Sequence, residues 1–263
     1  MSENKPLPIN EILAKRKWQQ GYRPPAEDVL FTIQGCNIGS RGNFICLSGL
    51  PKAGKSTFLN AIMASNFIPL DIYQMKLKCA GNMGYFDTES SQNDFYRNIE
   101  RIRAFAGYVE LPRTFSAYNT RVDAYELQRA LIAHYIETER PDVLVIDGFL
   151  DLIRNFNDEA ECRALMDWLK AITAHYNMLV IGVIHLGKKD GHTLGHLGSM
   201  VDRYAQSVLE VVKDKENNMF ILQPKWLRSS GDFMPVCVQS VGTGYQQVSL
   251  PPQQLQTPKK TKK

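Results

Sequence analysis

Residues 49–57, GLPKAGKST, match the spacing G-x-x-x-x-G-K-[ST] through Gly49, Gly54, Lys55 and Ser56. Glycines at these positions let backbone N–H groups converge on phosphate oxygens. The lysine neutralises phosphate charge, and the serine hydroxyl can hold Mg²⁺. Pro51, Lys52, Ala53 and Thr57 complete a loop whose chemistry is the grip of a nucleoside triphosphate, with ATP and Mg²⁺ as the expected ligands. Such a grip needs an acid on a nearby strand to organise the cation, and Asp147 at the end of VLVID is the candidate beside Ser56.

Hydrolysis further requires a carboxylate that orients water. The residue after Asp147 is Gly148, so the paired acids of many motor ATPases are missing there. Glu89, ending YFDTE, is the best-placed substitute, although TESS is also good helix-capping sequence. Asp87 is the alternative base. Strand alternation turns it to the same side as Glu89 but deeper, farther from a nucleotide.

His185 ends the apolar run MLVIGVIH, a position from which a polar group would face the γ-phosphate. The glycine-rich stretch after it, LGKKDGHTLGHLGS, changes shape cheaply, and Lys188, Lys189, His192 and His196 offer cations and donors to a phosphodiester chain. Lys225 and Arg228 in PKWLRSSGDF are cations on or just after a strand. They could reach a nucleotide held by a neighbouring subunit, or simply protect an exposed edge.

Strands and helices must hold these residues in place. VLFTIQG and NFICLSG read as strands, the second running into the glycine loop, and KSTFLNAIMAS as the helix after it. GNMGYFDTE, PDVLVIDG and MLVIGVIH read as further strands. SQNDFYRNIERIRAFAG, YELQRALIAHYIETE and EAECRALMDWLKAITAHYN read as helices, the last with Asp158 and Glu161 in capping-box spacing. The interval from Lys55 to Asp147 leaves room for one or two inserted strand–helix units, unlike simple kinases and GTPases, in which the acidic strand often adjoins the loop strand. Apolar strands alternating with amphipathic helices imply an α/β fold with a mostly parallel sheet covered on both faces. SVLEVVKDKENNMFILQPKWLR implies an antiparallel C-terminal edge.

The expected organisation is an extension over 1–28, an ATPase domain over 29–246 and a disordered basic tail over 247–263. Within the extension, Ile9, Ile12, Leu13 and Trp18 form an apolar stripe expected to pack on its own domain in preference to a neighbouring subunit. The net charge of +4 is concentrated in the terminal KKTKK, so any nucleic-acid surface would have to be local. Five scattered cysteines favour reduced thiols over a disulfide framework or zinc site. No apolar run is long enough to span a bilayer and the polar start does not read as a signal peptide, which leads to an expectation of a cytoplasmic protein with no membrane partner.

The order GLPKAGKST, YFDTES, VLVIDGFLDLIRNFND, VIGVIHLGKKDGHTLGHLGS and PKWLRSSGDF resembles the RecA/DnaB-superfamily ATPases related to RepA-type hexameric helicases of plasmids, phages and bacterial mobile elements. The resemblance covers roughly residues 30 to 240 and implies a RecA-like doubly wound fold. It also implies a homo-oligomer, expected as a hexameric ring, acting on DNA, expected to be single-stranded. By position, Lys55, Ser56 or Thr57, Glu89 and Asp147 would act in cis, and His185 would sense the γ-phosphate. Lys225 or Arg228 would reach across to a neighbour, and the loop from Gly187 to Ser199 would face DNA. These two cations are spaced more widely than the K-x-R of many replicative helicases. The implied function is DNA translocation or remodelling in replication or mobilisation of an element. The alternative is an ATP-switched DNA-binding or regulatory oligomer without motor activity.

Overall fold

The computed structural model describes residues 8–187, 195–241 and 244–249. In chain order the elements are α1 (Ile9–Arg16), β1 (Val29–Ile33), β2 (Cys36–Ser40), β3 (Phe44–Gly49), α2 (Lys55–Ser65), β4 (Met75–Leu77), β5 (Met83–Asp87), α3 (Gln92–Ala106), β6 (Phe115–Asn119) and α4 (Tyr125–Glu139). They continue with β7 (Val143–Asp147), a 3-10 turn (Phe149–Leu152), α5 (Glu159–Tyr176), β8 (Leu179–His185), α6 (Gly195–Tyr204), β9 (Ser207–Asp214), β10 (Met219–Leu227), β11 (Val236–Val241) and β12 (Gly244–Val248).

Nine strands form one sheet in the order β12-β11-β10-β9-β3-β8-β7-β5-β6. Strands β9, β3, β8, β7, β5 and β6 run parallel, and β10, β11 and β12 extend the sheet antiparallel. This is the RecA-like architecture. Period-two alternation supplies both faces. Ile45, Leu47, Val143 and Val145 join one core with α2 and α3, while Phe44, Cys46, Leu144 and Ile146 join a second with α4, α5 and α6. Strands buried on both faces must be apolar throughout, which is why β7 and β8 read as continuous hydrophobic runs.

Local signals close the helices. Asp158 caps α5 by accepting from the Glu161 N–H at 2.9 Å, but the Glu161 carboxylate reaches back to the Asn155 N–H at 2.8 Å, so the second half of the capping box closes on the preceding turn. Ser91 caps α3 by accepting from the Asp94 N–H, which leaves Glu89 outside the cap.

Several sequence expectations need correction. VLFTIQG supplies a strand as expected over Val29–Ile33, but one outside the main sheet: β1 lies in a separate three-stranded sheet, β2-β1-β4, over the α2 side. Its β1–β2 hairpin turns on Gln34 and Gly35, both at positive φ, between the paired Ile33 and Cys36. Two-residue turns of this kind match strand twist. The α1 stripe does not pack on its own domain. Ile9, Leu13 and Trp18 are 75%, 63% and 76% exposed, α1 buries no residue, and the following residues 17–28 are exposed as well. Finally, β12 continues to Val248, past the expected end of the domain, because Val248 pairs with Cys237. Residues 250–263 lie outside the described residues.

Candidate functional site

The glycine loop joins the C-terminal end of β3 to the N-terminus of α2. Gly54 stands at φ 95° as the helix N-cap, without a side-chain cap. A Cβ there would fall 2.4 Å from the Phe220 ring, so both conformation and space demand glycine. Gly49 is constrained differently, since a Cβ would lie 2.5 Å from the Val211 carbonyl oxygen on β9. The first turn of α2 therefore presents uncapped N–H groups and the positive end of the helix dipole to the cavity mouth.

Lys55 is buried, and its Nζ lies 3.0 Å from each of Gly49 O, Leu50 O and His185 Nδ1. Burial lowers its pKa, opposed by the charges of Glu89 and Asp147. An ammonium only donates, so Nδ1 of His185 accepts and the ring proton sits on Nε2. That nitrogen faces Glu89 Oε1 at 2.7 Å and Oε2 at 3.0 Å. The result is a chain Glu89–His185–Lys55 built from the turn after β5, the end of β8 and the start of α2.

Strand order explains how these groups meet. Strand β8 separates β3 from β7, so Asp147 stands one strand removed from the phosphate loop, and β5 with Glu89 at its end adjoins β7. Asp87 is fully buried: its Oδ1 accepts from the N–H groups of Glu89 and Ser90, and its Oδ2 from the Tyr85 hydroxyl. It shapes the turn that carries Glu89 and does not reach the cavity as a base. Burial pushes the Asp147 carboxyl up to about 8, with repulsion from Asp87 and Glu89 adding to the shift and Lys55 opposing it. A carboxyl in that state gains charge compensation from an incoming cation.

Lys52, Gly54, Lys55, Ser56, Thr57, Glu89, Asp147 and His185 line one cavity of about 520 Å³, together with Arg101, Phe220 and Tyr245. The last three were missed by sequence reasoning. Arg101 is an exposed cation on α3 beside the buried Asn98 and Ile102, a helix-face signal that could have been read. Phe220 and Tyr245 come from the antiparallel edge and stack edge to face at 5.8 Å. Nothing local ties them to the loop. The donor set fits a triphosphate and its cation. A buried ammonium and uncapped N–H groups suit phosphate oxygens, while the Ser56 hydroxyl and Asp147 suit a hard cation. Among the described residues no cluster of three His, Cys, Asp or Glu could hold a metal by itself, so a cation would complete its shell with phosphate and water.

The remaining sequence candidates lie elsewhere. Lys225 is the extra residue of a β-bulge between Pro224 and Trp226, and its Nζ pairs with Asp202 of α6 at 2.8 Å. The bulge turns it toward α6. Arg228 is exposed, and its backbone N–H donates to Gln206 O at the start of β9. Val211 pairs with Gly49 and Arg228 stands opposite Gln206, five residues back along β9, so Arg228 sits at the opposite sheet end from the loop, roughly 16 Å away along the strands. Neither cation can serve its own chain's cavity. Lys188, Lys189 and His192 lie outside the described residues. The expected loop to Ser199 is shorter than that, because GHLGS opens α6, where His196 is exposed. The described cysteines are free thiols, and among the described residues no helix is long and apolar enough to cross a membrane.

A strand, an anion-receiving glycine loop, a buried lysine and an acid one strand removed define a P-loop nucleotide-binding protein. The match to an AAA domain, AAA_25, spans residues 32–191, more than half of the chain, and the protein belongs to that family of P-loop ATPases. No curated protein matches the chain.

Proposed function

We propose that the protein is a Mg²⁺-dependent ATPase that assembles as a homo-oligomer, a hexameric ring, on single-stranded DNA. It couples hydrolysis to translocation or remodelling in the manner of the RepA-type helicases it resembles. The observation that carries the reading is the Glu89–His185–Lys55 chain at the mouth of the loop cavity. It joins a carboxylate able to orient water, a neutral imidazole and the phosphate-binding cation.

In this reading Lys55 and the loop N–H groups hold the phosphates, and Ser56 and Asp147 hold Mg²⁺. The cation supplies charge neutralisation when bound. Glu89 orients and polarises water. His185 changes partner when the γ-phosphate draws Lys55 away from it, which makes the imidazole a reporter of the triphosphate. Arg101, Phe220 and Tyr245 form the wall open to the base and sugar. Arg228, exposed at the far sheet end, is the cation available to a neighbour's nucleotide, whereas Lys225 must first leave Asp202. The segment after His185, with Lys188, Lys189, His192 and His196, contacts the phosphodiester chain.

The test is ATPase rate with and without single-stranded DNA, run beside sizing with a non-hydrolysable ATP analogue. Stimulation by DNA together with a ring-sized species supports the proposal. Hydrolysis by a monomer indifferent to DNA contradicts it.

A further inference from the structure

Thr88, between Asp87 and Glu89, has no part in the chemistry described so far, yet its side chain is held from three directions. Its Oγ1 lies 2.8 Å from the Asp147 carbonyl oxygen, 2.7 Å from Asp151 Oδ2 and 3.4 Å from the Gly148 carbonyl oxygen. Its N–H also donates to Asp147 O. The residue is 3% exposed. Asp151, on the 3-10 turn after β7, is therefore fastened to the residue that precedes Glu89.

Gly148 shows that this contact is built into the backbone. It stands at φ 123°, and a Cβ there would fall 2.3 Å from Thr88 Oγ1, 2.7 Å from Asp151 Oδ2 and 3.2 Å from Glu89 Cγ. A glutamate at this position would occupy the space in which Thr88 and Asp151 meet. The missing second acid of the β7 end and the Thr88–Asp151 contact are thus two sides of one arrangement. The turn is itself anchored, since Phe149 and Leu152 are fully buried.

We infer that Asp151 is a positioning residue for hydrolysis, which through the Thr88 hydroxyl sets the end of β5 and so the carboxylate of Glu89. The inference rests on Glu89 being the water-orienting base. Asp151 does not line the cavity; it acts on the angle at which Glu89 enters it. Thr88 has a single hydroxyl proton to share among oxygens of β7 and the turn, so loss of either side chain removes the Thr88–Asp151 tie while the β5–β7 ladder stays in place.

The experiment compares steady-state hydrolysis and fluorescent ATP-analogue binding for Thr88→Val, Asp151→Ala, the double variant, Thr88→Ser, Asp151→Asn and Glu89→Gln. Loss of alignment predicts a kcat fall of about tenfold or more for Thr88→Val and for Asp151→Ala, with KM and analogue affinity within about twofold of wild type. The double variant should be no slower than the slower single. Thr88→Ser keeps the hydroxyl and Asp151→Asn keeps a group able to reach it, so both should recover most of the loss. Retained analogue binding certifies the fold of each variant. If Thr88→Val or Asp151→Ala does not fold, the decision passes to the folded single and to the two conservative variants, whose kcat must stay above the folded single. A slow Glu89→Gln beside normal Thr88→Val and Asp151→Ala overturns the positioning role alone. A normal Glu89→Gln overturns the assignment of the base on which it rests.

Discussion

Gly182→Ala gives the packing account its sharpest stability test, because two physical effects act with opposite sign. Gly182 lies inside β8 without positive φ, and replacing an unstrained strand glycine should stabilise by about 0.4–1 kcal/mol through the unfolded chain. The structure predicts the reverse. A Cβ at 182 would sit 1.9 Å from Cζ of Phe149, and 2.2 and 2.3 Å from its Cε atoms. Ordinary contact needs about 3.5–4.0 Å, so the fully buried ring would have to move by roughly 1.5 Å. Overpacking of a filled core costs about 1–3 kcal/mol, and a clash of this depth belongs at the upper end. The net expectation is a loss of about 2 kcal/mol, or roughly 4–8 °C in Tm for a domain of this size. Urea melts with constant m-value, supported by calorimetry, provide the measurement. Phe149→Leu should cost less in the Gly182→Ala background than in wild type, since it opens the space the methyl needs. A stabilised or unchanged Gly182→Ala protein would refute the proposed β8–Phe149 packing.

Gly54→Ala should reduce affinity for a fluorescent ATP analogue by about tenfold or more, since the methyl meets the Phe220 ring and the φ of 95° is strained for alanine; equilibrium titration reads it. Asp142→Asn should lose about 1.5–3 kcal/mol, because Asp142 accepts from the Arg41 guanidinium and the Gly81 N–H at 2.7 Å each. The Arg41 hydrogen bond holds the Asp142 carboxyl below its usual range. Its stabilisation is therefore complete above the unfolded pKa near about 4 and disappears as pH falls through the lower folded value. Urea melts of the two proteins should accordingly differ at pH 7, begin to draw together as pH falls below about 4, and coincide once it has passed the lower folded value.

The phosphate loop was legible because its four defining residues are local in sequence and lie between a readable strand and helix. Asp147 was legible as the polar end of an apolar run. Glu89 was legible through Gly148, since a missing acid at one strand end requires another nearby, and the turn after β5 carries it to His185, two strands away. Other features depend on tertiary placement. The α1 periodicity records an apolar face but not what covers it. β6 is half-exposed at a sheet edge, so it lacks the continuous apolar run of β7. The β1–β2 hairpin turns on Gln34-Gly35, a weaker signal than Asn-Gly or Asp-Gly, so VLFTIQG reads as a strand with no turn marked at its end. The ion pair that occupies Lys225 depends on a bulge and a helix far apart in sequence, and Tyr245 reaches the cavity only through the antiparallel extension.

The central claim is that the loop cavity hydrolyses ATP with Glu89 orienting the water. Single-turnover hydrolysis of Mg²⁺-ATP by Glu89→Gln, at enzyme concentrations that saturate binding, tests it most directly. The account predicts ATP affinity close to wild type and a cleavage rate lower by about a hundredfold or more. A cleavage rate equal to wild type with ATP fully bound would contradict it.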